Sequence, residues 1–418
     1  SGIWQTVWLE VVPAISIESL KLTPNLDDQT LKVEVKIRGA TENIRVEVAV
    51  FSGKEEISNA TGIDNDAIIC TIPDPILWNP ANPYLYDLHV RLLQDGQIFD
   101  EVGSYFSMRK FGLIMDADGH MRFALNDEPL FLYGPLDQGY FPDGLYTPPN
   151  EEAMLFDIEY AHKIGCNMIR KHIKVEPLRW YYHCDRLGMI VWQDMINGGA
   201  IDGDVVAVLA LMVGFQRNDT RHLNRFGRAD EANRSEFRAE LKGMIDHLHN
   251  TTCIAVWVPF NESWGQFHAN QFVEWVKKYD PTRLVDHASG WFDQGGGDFQ
   301  SRHVYVKKLF RPKPDRRAFV LSEFGGYSLV IPGNLWNENK KFGYRFYESS
   351  DLLTNAYLAL LENELKPLIA QGLAAAIYTQ TTDVEIEVNG YLTYDRKVEK
   401  MDAQILRCAH LALRDNPG

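Results

Sequence analysis

The 418-residue chain is poor in cysteine: its five (Cys70, Cys166, Cys184, Cys253 and Cys408) are scattered, and no pair has CxxC spacing. Neither a zinc cluster nor a disulfide framework is signalled, so no metal and no cofactor are expected. No apolar run approaches the ~18–20 residues needed to span a bilayer, so a soluble chain without a membrane partner is expected. Cationic residues are in deficit, since 42 Lys and Arg against 57 Asp and Glu leave a formal charge of −15. That balance argues against nucleic acid as a partner, because neutralising phosphates needs an excess of cations. No GxGxxG follows a strand-like run, and the glycines at 295–297 precede neither a helix start nor a P-loop lysine, so dinucleotide and phosphate binding gain no support.

What is present is a chain able to build a core, with 45% hydrophobic and 24% charged residues. Its 10 Trp and 18 Tyr are a generous supply of aromatic faces, most of them expected in the core and some available for stacking on sugar rings. The opening SGIWQTVWLEVVP has no initiator Met and no signal-peptide pattern. Ile3, Val7 and Leu9, with Trp4 and Trp8 between them, read as one strand of a sheet whose other strands are missing. The chain is therefore expected to start inside a larger protein. Compartment is not legible from such a start, although a periplasmic or secreted location is favoured.

From about residue 14 to 110, short runs alternate apolar and polar residues: 31–37, 44–50, 67–72, 85–93 and 99–108. Period-2 runs separated by turn signals predict an antiparallel β-sandwich. After Phe111 the pattern changes to near-continuous apolar runs at 130–134, 167–171, 189–194, 254–260, 284–289, 302–306, 318–324 and 374–380. Helical periods fall between most of them, at 151–164, 177–187, 234–249, 267–279 and 351–371, with a last at 399–414. Eight such strands alternating with helices predict a (β/α)8 TIM barrel over 111–418, with a doubly wound open sheet as the alternative. The segment 195–233, containing the apolar 207–213, reads as a long excursion after the third strand.

Barrel residues at the C-terminal ends of strands face the site. Here these are Arg170, Asp194, Asn261, Glu262, His287, Tyr305, Glu323, Gln380 and Asp383. Glu262 and Glu323 each close a fully apolar run on a different strand. Two carboxylates across a pocket can divide their work, one donating a proton while the other stays ionised. Arg170 can bind substrate, orient Glu323 or form a structural ion pair, and Asp194 can accept hydrogen bonds from sugar hydroxyls. Trp291 and Trp264 follow strand ends in glycine-containing loops, where stacking on a sugar is as plausible as packing. His287 and His303 read first as core or supporting histidines.

NTTCIAVWVPFNE (250–262), LSEFG (321–325) and RHVY (302–305) resemble motifs of glycoside hydrolase family 2, the β-galactosidase, β-glucuronidase and β-mannosidase family. The resemblance implies Glu262 as acid/base, Glu323 as nucleophile, Asn261 as a donor to the sugar 2-hydroxyl and Tyr305 as a donor to the nucleophile. It extends along the chain. Residues 1–13 look like the last strand of a jelly-roll domain, 14–110 like an immunoglobulin-like β-sandwich, and 111–418 like the catalytic barrel. It departs from the family after Arg170, where Ile173 occupies the usual histidine position and His172 lies one residue earlier. Whether His172 substitutes is open, because neighbouring side chains on a strand point to opposite faces.

The resemblance implies a retaining exo-β-glycosidase acting on a carbohydrate substrate, with β-galactosides leading and a homo-oligomer allowed. A β-glucuronidase, a β-mannosidase and a non-catalytic glycan-binding barrel are the alternatives. Retention predicts carboxyl groups about 5–5.5 Å apart.

Overall fold

The computed structural model describes residues 5–39, 44–63, 66–200 and 216–414, which divide into two units. In the first (1–110 with 185–188 and 246–253), alternating residues form two antiparallel sheets. The strands are β1 (Ser16–Asn25), β2 (Thr30–Arg38), β3 (Arg45–Ser52), β4 (Glu55–Ile63), β5 (Ile68–Thr71), β6 (Tyr86–Gln94) and β7 (Gln97–Phe106). One sheet has the order β1-β2-β5 and the other β4-β3-β6-β7. Every second residue points inward, so Leu31 and Val33, Val46, Val48 and Val50, and Leu88, Val90 and Leu92 make a common core. Of the strand expected over 1–13, residues 1–4 lie outside the described residues. From Gln5 to Pro13 no strand forms, and Val7, Leu9 and Val11 are exposed. Without a neighbouring strand, the alternation has no ladder to join.

The second unit (111–184, 189–245 and 254–418) begins with a small antiparallel sheet of β8 (Phe111–Met115), β9 (Met121–Leu125) and β10 (Glu128–Pro129). Eight parallel strands follow: β11 (Leu132–Asp137), β12 (Met168–Lys171), β13 (Ile190–Asp194), β14 (Ile254–Val258), β15 (Leu284–Val285), β16 (Phe299–Val304), β17 (Ala318–Phe324) and β20 (Leu373–Tyr378). The short pair β18 (Tyr327–Leu329) and β19 (Arg345–Tyr347) lies between the last two in sequence. The ladder order β15-β14-β13-β12-β11-β20-β17-β16 is that of a barrel in chain order, with its seam between β15 and β16. Asp298 bridges that seam, donating its N–H to the Val285 carbonyl (2.9 Å) and accepting the Val285 N–H on Oδ2 (2.8 Å). β12, β13, β14, β17 and β20 are buried along their whole length, which is why they read as continuous apolar runs.

The connecting helices include α1 (Glu151–Lys163), α2 (Leu178–Leu187), α3 (Glu231–Leu248), α4 (Ala269–Tyr279), α5 (Ser350–Leu360), α6 (Lys366–Ala370) and α7 (Ala403–Arg414). Asn150 starts α1 by accepting the Ala153 N–H (2.8 Å), and Glu151 and Glu152 suit the positive end of the helix dipole. No helix of the described residues is long and apolar enough to cross a membrane.

Several boundaries differ from the sequence expectation. The fifth strand, expected over 284–289, leaves the ladder after Val285, yet Asp286 and Ser289 still donate N–H groups to the Trp257 and Phe260 carbonyls. The sixth, expected over 302–306, runs instead from Phe299 to Val304, with a register shift at Arg302/His303. The helix expected over 351–371 is interrupted by a π turn at Leu361–Leu365 just before Pro367, which has no N–H to donate. The apolar stretch 207–213 lies outside the described residues.

Candidate active site

Four strand ends of the barrel meet at one buried cation. Arg170 leaves β12 pointing inward and is fully buried. Its Nε and Nη2 donate to Asp194 Oδ1 and Oδ2 (3.0 and 2.9 Å), and Nη2 also donates to Asn261 Oδ1 (2.7 Å). Nη1 donates to the Ser322 carbonyl (3.0 Å) and to Glu323 Oε1 (3.2 Å). These five bonds use all five N–H groups of a guanidinium. Burial disfavours its charge, but Asp194 and Glu323 more than offset this and push the Arg170 pKa up. Asp194 also meets His172 Nδ1 at 2.9 Å, and despite burial, Arg170 and His172 hold its carboxyl below the usual range.

Glu262 and Glu323 face one another. One oxygen of each, and one nitrogen of His303, lie within 4.8 Å of each other. The Tyr305 hydroxyl spans the pair, 2.6 Å from Glu323 Oε2 and 3.1 Å from Glu262 Oε1. A phenol has one proton, and the shorter contact directs it to Glu323. Burial and the two carboxylates drive the Tyr305 pKa far up, so the phenol stays protonated. Its ring stacks on Tyr344, with centroids 4.2 Å apart and planes 2° from parallel. Thr379 Oγ1, just past β20, adds a weaker contact to Glu323 Oε2 (3.4 Å).

Glu262 follows β14 in a left-handed turn, with φ 48° at Glu262 and 64° at Ser263. Consecutive non-glycine residues in this region store strain, which the surrounding structure must hold. The Glu262 N–H bonds to the Ser289 carbonyl (2.9 Å), and Asn261 bridges Ser289 in a parallel arrangement. Burial raises the Glu262 pKa above the ordinary glutamate value. Its Oε1 meets His303 Nδ1 at 2.7 Å, and His303 Nε2 meets Ser289 Oγ at 3.1 Å. Burial pushes the His303 pKa down to about 4, so at neutral pH the imidazole is uncharged, donating at one nitrogen and accepting at the other. Gly290 makes room for this ring, since a Cβ there would lie 2.5 Å from it.

The structure therefore gathers Arg170, Asp194, Asn261, Glu262, Tyr305 and Glu323. It does not bring His287 and Trp291 onto the pair. His287 Nε2 accepts the Gln294 N–H (3.1 Å) and approaches Asp293 (3.3 Å), and Trp291 is half-buried with its N–H on the Ser289 carbonyl (3.1 Å). His172 and His303 join the site instead. His172 faces inward because regular pairing on β12 ends at Lys171 and Ile173 turns left-handed (φ 50°), so strand alternation no longer applies there. His303 was legible as the i−2 neighbour of Tyr305, hence on its side of a strand. Ser289, Tyr344 and Thr379 carried no comparable signal. Glu262, His303 and Glu323 offer donor atoms that a divalent cation could share, although Arg170 and Tyr305 already engage the carboxylates.

The model for glycosyl hydrolases family 2 matches residues 15–109, and that for the family 2 TIM barrel domain matches residues 149–311. A β-galactosidase of Vibrio cholerae is 25% identical over 311 residues, covering 69% of this chain and 28% of that protein. This chain spans about a third of the length of the curated relatives it matches (28% and 34% of the first two). Among solved structures, a β-D-glucuronidase of Dictyoglomus thermophilum superposes with a TM-score of 0.70 at 14% identity, over 96% of this chain and 69% of that one. A β-galacturonidase of Eisenbergiella tayi bound to galacturonate gives 0.69 at 14% identity, over 96% and 73%. At such identities the likeness is one of fold.

Proposed function

The chain belongs to glycosyl hydrolases family 2, and from that premise we propose that it is a retaining exo-β-glycosidase that releases terminal β-linked sugars, β-galactosides first among them. The observation that carries the reading is the facing pair Glu262 and Glu323, whose oxygens approach within 4.8 Å. That approach suits the ~5–5.5 Å carboxyl spacing of retaining enzymes, and one Tyr305 hydroxyl reaches both carboxylates, at 2.6 and 3.1 Å. A protein that only bound glycans would have no use for such a pair.

In the first step, Glu323 attacks the anomeric carbon while Glu262, whose hold on its proton burial strengthens, gives that proton to the departing oxygen. In the second, Glu262, now a carboxylate, takes a proton from water, which attacks the same carbon and releases Glu323. Arg170 and Tyr305 hold Glu323 from its two oxygens. Arg170 also occupies Asn261 Oδ1, which leaves the Asn261 amide N–H groups for a sugar hydroxyl. Galactoside ranks first because β-galactosidases are among the curated relatives matched, with β-glucuronide and β-mannoside as alternatives.

Release of p-nitrophenol from a panel of aryl β-glycosides tests the sugar. Glu323→Gln is expected to abolish turnover, and azide to rescue Glu323→Ala with an α-configured glycosyl azide as product. Rescue that yields the β-azide, or none at all, counts against Glu323 as nucleophile.

A further inference from the structure

A third carboxylate stands beside the pair, and the mechanism above does not use it. Past β20, Thr379 touches Glu323 and is followed by Gln380. Gln380 Oε1 accepts from Gln138 Nε2 (2.8 Å), which follows the adjacent strand β11. Gln380 Nε2 donates to Glu387 Oε2 (2.9 Å) and to Asn389 Oδ1 (2.8 Å), so both of its N–H groups are spent on fixing the returning loop. The backbone of Glu387 is tied at both ends to Val384, at 2.9 and 3.2 Å. Its side chain is thereby aimed, yet the residue stays partly open to solvent. Burial raises the Glu387 pKa, and the charge of Glu323 raises it further, against a smaller opposing pull from His172.

Arg170 has nothing left to offer, because all five of its donors are committed within the protein, and His172 is taken up by Asp194 at 2.9 Å. A sugar entering here thus meets hydrogen-bond acceptors carrying negative charge. We propose that Glu387, held by Gln380 and Gln138, is a specificity-determining residue: it accepts hydrogen bonds from hydroxyls of an uncharged terminal sugar and turns away sugars bearing a carboxylate. The inference rests on the glycosidase reading and narrows its substrate class to neutral glycosides. A substrate carboxylate about 6 Å from Glu387, at an effective dielectric near 20, is disfavoured by about 100-fold. Removing a hydroxyl's bond to a charged acceptor costs about 10- to 100-fold in kcat/KM.

The test compares wild type, Glu387→Gln and Glu387→Asp on p-nitrophenyl β-galactoside, β-glucoside, β-mannoside, β-glucuronide and β-galacturonide, with Glu323→Gln as the reference for lost chemistry. Wild type is expected to favour a neutral glycoside over its uronide, and Glu387→Gln to narrow that ratio at least tenfold while losing activity on the neutral sugar. Glu387→Asp keeps the charge and is expected to keep the ratio while raising KM. A merely structural role would lower both sugars together and leave the ratio unmoved. An unmoved ratio in Glu387→Gln, or a wild type that prefers uronides, overturns the inference while the glycosidase reading stands, provided Glu323→Gln is inactive. Wild-type turnover of none of the five, or turnover that survives Glu323→Gln, sinks the underlying reading instead.

Discussion

Replacing Tyr305 with phenylalanine removes one oxygen and keeps the ring, which Tyr344 holds by stacking at 4.2 Å. The lost hydroxyl is the closest partner of Glu323 Oε2 among the described residues, at 2.6 Å, and Thr379 at 3.4 Å is the one that remains among them. A hydrogen bond to a charged group is worth about 1.5–3 kcal/mol. At about 1.36 kcal/mol per factor of ten, that is roughly 10- to 150-fold in a rate limited by it.

The two chemical steps do not feel this loss equally. When Glu323 attacks, its negative charge disappears, so the bond is strongest in the ground state. When water displaces the sugar, the charge returns to Glu323, and the donor stabilises it in the transition state. Tyr305→Phe is therefore expected to slow the second step by about 10- to 100-fold and to touch the first far less. With a 2,4-dinitrophenyl glycoside, kcat and KM should fall together, kcat/KM should change little, and a pre-steady-state burst should appear as glycosyl-enzyme accumulates. Equal losses in kcat and kcat/KM without a burst, or a change below about threefold, would refute the assignment of the Tyr305 proton to Glu323.

Two further consequences concern stability. Because burial raises the Glu262 pKa above its unfolded value, the unfolded chain sheds that proton first as pH rises, so folding stability falls between the two values and the cost persists above both. Glu262→Gln should thus melt above wild type at pH 7–8 and converge with it below about pH 4, and a variant less stable at pH 8 would contradict the burial argument. Gly290→Ala would place a Cβ 2.5 Å from the His303 ring at a position with φ +84°. Overpacking and the left-handed backbone together predict about 2–4 kcal/mol of lost stability in urea denaturation, with reduced turnover as His303 moves off Glu262; a loss under about 0.5 kcal/mol would show that the ring can shift freely.

Much of this architecture was legible from periodicity. Strands buried on both faces are continuous apolar runs, and strands of a two-sheet sandwich alternate, so the eight-stranded barrel and the sandwich were expected before any coordinates. Where regular pairing stops, the pattern stops carrying information. The ends of β15 and β16 were misplaced for that reason, and β8 to β10 went unnoticed because short strands hold too few residues to show a period.

Within the site, the sequence by itself determined which chemistry was available: two glutamates closing apolar runs on separate strands, an arginine and an asparagine at the ends of the second and fourth barrel strands, and a tyrosine two residues from a histidine. Only the tertiary structure decided how these meet. Hydrogen-bond partners at strand ends come from different strands, and no local pattern encodes the distance between them. Thus Arg170 spends every donor inside the protein, His172 turns inward where alternation would have left its direction open, and His287 turns to Asp293 and Gln294 rather than to the carboxylates. Glu387, seven residues past Gln380 in a loop with no period of its own, is joined to that strand end by the Gln380 amide at 2.9 Å, a bond no sequence pattern announces.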